Sequence, residues 1–139
     1  MNHEYLNALV KAFVAPAKQS RLLTFLGSSR RYPDFLDGLL HDPRYFDPDV
    51  VEVLPGNQRS LSDVSARLSQ LGANRQAYLV GDCRPYLDGH VGPLDQLLAA
   101  CVGSMTDSLV YCWQNNVAYY EGHEGFGYIL HRLAQRRSG

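Results

Sequence analysis

The segment LVYCWQNNVAYYEGHEGFGYILH, Leu109 to His131, decides the fold. It divides into three runs rich in β-branched and aromatic residues: Leu109 to Trp113, Val117 to Glu121 and Phe126 to His131. Asn115-Asn116 separates the first two runs, and the stretch Gly122 to Gly125 separates the second two. Asn and Gly tolerate the positive φ of tight hairpin turns, so this spacing predicts an antiparallel meander.

Upstream, Gly92-Pro93 opens a predicted helix carrying Leu94, Leu97, Leu98, Cys101 and Val102, which Gly103 closes. Ala77 to Val80 before it reads as a short strand. A ten-residue helix is about 15 Å long and a five-residue strand about 17 Å, so the helix can carry the chain back to its starting edge. The expectation is a right-handed crossover, with the Ala77 strand parallel to the Leu109 strand. The sheet is then a small mixed one, strand-helix-strand followed by the meander, with helices over one face.

The N-terminal third reads as helical. Leu6, Leu9, Val10, Phe13 and Val14 follow the i, i+3, i+4, i+7, i+8 pattern of one helical stripe, with Asn2 as cap. Pro16 interrupts that rod, and a second helix carries Leu22, Leu23, Phe25 and Leu26. A third starts near Pro33 and buries Phe35, Leu36, Leu39 and Leu40. The Asp42-Pro43 and Asp47-Pro48 pairs then predict a loop, and Val50 to Leu54 a short edge strand. Ser60 and Asp63 form a capping box ahead of a helix through Leu61, Val64, Leu68 and Leu71. The fold class is α+β: a single domain over 1–139, with a helical N-terminal subregion 1–41 packed on a sheet-containing region 50–135.

The totals narrow the function classes. A chain of 139 residues, 45% hydrophobic, supports a core without staples. Thirteen basic against fourteen acidic residues lack the basic excess of a nucleic-acid binder. Cys83, Cys101 and Cys112 are an odd number with no C-x-x-C spacing, which reads as reduced thiols in the cytoplasm. The Leu9–Ala17 stretch ends Ala15-Pro16-Ala17 like a cleavage site, but Glu4 and Lys11 spoil a leader, and no apolar run is long enough for a membrane helix.

Three clusters compete as sites. The loop Asp82 to His90 leaves a strand and enters a helix; Cys83 there would be a thiol nucleophile, with His90 as its base and Asp82 or Asp88 as the carboxylate that orients the ring. The stretch Glu121-Gly122-His123-Glu124-Gly125, with His131, offers metal-ligand types but no H-E-x-x-H spacing. The parallel topology would place these two clusters at opposite ends of the sheet, so neither a metal nor a cofactor is expected. The third cluster is aromatic: Tyr111, Trp113, Tyr119, Tyr120 and Tyr128 crowd the meander, and alternation spreads them over both faces, with Tyr111, Trp113, Tyr119 and Tyr120 as the expected contact rings. Tyr and Trp dominate interface hot spots. The favoured reading is therefore a non-enzymatic protein-binding or regulatory domain, immunity- or adaptor-like in size, using the aromatic sheet face and adjoining turns. A protein partner is expected, nucleic acid and membrane are not, and a homodimer through the same face is a further outcome. The alternative is a small enzyme, a hydrolase or thiol-dependent transferase, built on the Asp82–His90 loop.

Overall fold

Continuous burial along the central strands organises the molecule. In the computed structural model, which describes residues 2–73, 75–81 and 87–132, every residue of β4 (Ser108–Cys112) and β5 (Val117–Glu121) is buried. A strand with one wet face would alternate, so these two are covered on both sides. The α+β class holds, with the helices mostly N-terminal and the meander where its turns predict it. Asn116 takes a positive φ at the first turn, and Gly125 at the second.

Three helices precede the sheet: α1 (His3–Phe13), α2 (Pro16–Leu26) and α3 (Tyr32–Leu40). Asn2 caps α1, its side chain accepting from the Tyr5 amide, and Pro16 sits in the first turn of α2, where its missing N–H costs nothing. The chain then forms β1 (Val51–Val53), α4 (Leu61–Gln70), β2 (Gln76–Gly81), β3 (Val91–Pro93), α5 (Leu94–Cys101), β4, β5 and β6 (Gly127–Leu130). The Ser60–Asp63 capping box is formed in both directions at the start of α4.

Among the described residues six strands form one sheet in the order β1-β6-β5-β4-β2-β3, every neighbouring pair antiparallel. The mixed sheet expected from the strand-helix-strand unit is corrected here: β2 runs antiparallel to β4, with Tyr78 opposite Tyr111 and Val80 opposite Leu109. The cause is β3, which contains the Gly92-Pro93 pair expected to open the helix. It folds back on β2 as a hairpin, Ala77 opposite Gly92, and returns the chain to the start of β2. The eight residues of α5 then climb about 12 Å to the other end, from which β4 descends. Two reversals stand where one was counted, so the direction of pairing flips.

The sheet is also covered on both faces rather than one. Tyr78, Val80, Leu109, Tyr111, Ala118, Tyr120 and Leu130 pack against α1, α2 and α3 through Leu6, Phe13, Leu22, Phe35 and Leu39. The alternate residues Ala77, Leu79, Val110, Cys112, Val117, Tyr119 and Ile129 pack against α4 and α5 through Val64, Leu68, Leu94, Leu98 and Cys101. The result is three layers around an antiparallel sheet.

Candidate functional site

The aromatic cluster does not form a surface. Tyr111, Tyr119 and Tyr120 are each no more than 1% exposed, which corrects their assignment as partner-contacting rings. Each has an internal use. The Tyr111 hydroxyl donates to Asn116 Oδ1 at 2.9 Å, and that of Tyr119 to Glu121 at 2.6 Å. The Tyr120 hydroxyl donates to the Leu40 carbonyl, tying β5 to the end of α3. Burial raises all three phenol pKa values, Tyr111 to about 12. Trp113 is half-buried and stacks on Tyr5 of α1 at 4.3 Å between centroids.

Of the thiol reading, Cys83 lies outside the described residues. Asp88 does not orient His90. Its carboxylate accepts from the Tyr32 hydroxyl at 2.7 Å and from the Gly81 amide at 2.9 Å, fastening the loop to α3 and to the end of β2. His90 is exposed, and its ring lies over Gly92.

The corrected topology has a second effect. Gly81 pairs with Ser108, Ser108 with Glu121 and Glu121 with Gly127, so the end of β2 and the β5–β6 turn lie at the same end of the sheet. A polar cluster gathers there that the sequence reading did not assemble. Asp107, 5% exposed, sits just before β4. Its carboxylate receives the His123 amide at 2.9 Å, His123 Nδ1 at 2.8 Å and His41 Nε2 at 3.2 Å. His41 closes α3, and its Nδ1 lies 3.3 Å from Asp37 one turn back. The hydrogen bond to Asp107, aided by its charge and that of Glu124, raises the His123 pKa. Neither histidine belongs to an apolar pattern and Asp107 falls between elements, so no periodicity marks them.

Glu121 turns away from His123. One oxygen accepts from the Gly103 amide at 2.9 Å and the Tyr119 hydroxyl; the other accepts from the Met105 amide at 2.7 Å and the Ser104 hydroxyl at 3.2 Å. The carboxylate is saturated by the loop between α5 and β4. A cavity of about 460 Å³ lies beside it, lined by Arg59, Met105 and Phe126. His131 lies at the far end of β6, 1% exposed, with Nε2 on Glu52 at 2.9 Å. Among the described residues no three His, Cys, Asp or Glu side chains are placed to hold a metal ion.

Among the described residues, no α-helix lines one corner of the sheet. Val51 and Val53 of β1 and Tyr128 of β6 line an apolar groove of about 460 Å³ with Pro43, Phe46 and Pro48. Val53 is 65% exposed. The Leu54 amide donates to Gly127 and the Val50 carbonyl accepts from His131, so even-numbered residues face β6 across the ladder. The N–H and C=O of Val53 therefore point away from the sheet, beside the groove. Tyr128 stacks on Phe126 and Tyr120 and is itself half-buried.

No helix of the described residues is long and apolar enough to cross a membrane, and Cys101 and Cys112 are buried. No protein-family model, no curated protein and no solved structure matches this chain.

Proposed function

We propose that this chain is a non-enzymatic, cytoplasmic binding module that takes an extended apolar segment of a protein partner along β1. The observation that carries this reading is the apolar groove beside an edge strand whose outward backbone groups have no neighbour strand among the described residues. Strand addition supplies main-chain hydrogen bonds, and the adjacent groove takes alternate side chains. Cysteines packed in the core, as Cys101 and Cys112 are, suit a reducing compartment. The aromatic idea survives in altered form, with Tyr128 and Phe46 in place of the buried tyrosines.

The test is selection from a random-peptide display library, followed by affinity measurement with purified variants. Extended apolar peptides should be enriched. Val53→Asp and Val53→Pro should each weaken binding about tenfold or more, while Trp113→Ala leaves it unchanged. Proline at 53 removes an outward N–H and spares the β1–β6 ladder. Peptides that bind both Val53 variants as tightly as the parent would sink the proposal. Light scattering on the same samples identifies the case in which a second copy fills the groove.

A further inference from the structure

The cluster at the end of the sheet has a proton count built into it. His41 presents Nδ1 to Asp37 at 3.3 Å and Nε2 to Asp107 at 3.2 Å. Both are ion-pair contacts: the imidazolium attracts both carboxylates and carries an N–H on each nitrogen, whereas the neutral imidazole has one N–H and no charge. His123 reaches Asp107 from the other side through Nδ1, and its own amide donates to the same carboxylate. The two rings stand 6.1 Å apart with the buried Asp107 between them.

We infer that Asp37, His41, Asp107 and His123 form a proton-operated latch that fastens the β5–β6 turn to α3 across the start of β4. Among the described residues, charged and titratable groups face it from each element packed against it. From α3 come Asp37 and His41, and from the segment before β4 comes Asp107. The turn itself adds His123 and Glu124, the latter 3.9 Å from His123 Nε2. The Tyr120 phenol beneath is committed to Leu40, and Asp42 is paired with Arg44. With both rings protonated, two cations face the two carboxylates of Asp37 and Asp107, and Asp107 is held from both sides. When the protons leave, His41 releases one carboxylate, and Asp107 remains a buried anion with weakened partners. The sign follows: the latch is closed on the acid side of the histidine titration and loosens as pH rises through it. The Arg59 guanidinium holds the Gly125 carbonyl from the opposite side, so loosening is local to the turn.

Long-range imidazole ¹H–¹⁵N spectra of the full chain, recorded from about pH 5.5 to about pH 8, read the protonation of each ring directly. Amide hydrogen exchange of residues 122–126 over the same range, divided by the intrinsic rates, reads the turn. Both nitrogens of His41 should carry protons at the acid end, and protection of the His123 amide should fall about tenfold at the alkaline end. His41→Gln, which keeps a donor but does not titrate, should flatten that pH dependence, and so should His123→Gln if the first variant does not fold. A His41 ring that is neutral at the acid end overturns the latch, as does protection that is independent of pH in the parent. An unchanged pH profile in the folded variants does the same.

Discussion

At Glu121 a buried carboxylate, rather than a hydrophobic contact, holds the loop entering β4. Its oxygens satisfy the amides of Gly103 and Met105 and the hydroxyls of Ser104 and Tyr119. Glu121→Gln swaps one acceptor oxygen for an NH₂ group that faces donors. The expected cost is about 2 kcal/mol, read as a lower urea midpoint with unchanged slope. Gly81 makes a comparable demand through its backbone. It has φ +137°, and an added Cβ would meet the Asp107 carbonyl and lie 2.7 Å from Ser108 Cα. Both obstacles are main chain and cannot swing aside. Gly81→Ala is expected to cost more than about 2 kcal/mol, again checked by urea unfolding.

Between elements, the tie that fixes the edge strand is Glu52 of β1. Arg67 of α4 grips it with two nitrogens at 2.7 and 2.8 Å, and His131 beyond β6 adds a third contact. His131 Nδ1, on the other side of its ring, is buried without a hydrogen-bond partner among the described residues. The Arg67 hydrogen bonds, outweighing burial, pull the Glu52 pKa from 4.5 to about 2. Between those values the unfolded chain binds a proton that the folded chain does not. The stability Glu52 contributes is therefore complete above about 4.5 and drains away as pH falls towards 2. Glu52→Gln should destabilise by roughly 1 kcal/mol at neutral pH, and the gap to the parent should close on acidification. A gap that stays constant down to pH 3 would refute the assignment. Element legibility followed signal strength. The α1 stripe from Leu6 to Phe13 and the Ser60–Asp63 box are dense local patterns, and both formed as read. Val91-Gly92-Pro93 is three residues long and contains the two poorest strand formers. Only its pairing with β2 makes it a strand, and that pairing reversed the topology.

For the whole molecule, the runs Leu109 to Cys112 and Val117 to Tyr120 hold no polar residue to mark a wet face. That absence of alternation is the sequence signature of a sheet covered twice, and it made the aromatic residues core instead of surface. The site was less legible because its parts come from unrelated positions. His41 and Asp107 are 66 residues apart by their numbering, and the Val53–Tyr128 groove joins β1 and β6 to the Pro43–Pro48 segment. The same layering predicts how the fold opens. The β4 and β5 strands lie inside the sheet with helices on both faces, while β1 and β3 are three-residue edges. Amides shared by β4 and β5 should exchange only through global unfolding, their rates falling with denaturant along the full equilibrium slope. Amides of β1 and β3 should exchange through local openings that are nearly independent of denaturant. Native-state hydrogen exchange across a low urea series measures both. If the edge amides were as protected as those of β4, β1 would not be free to receive another strand, and the three-layer description would fail with it.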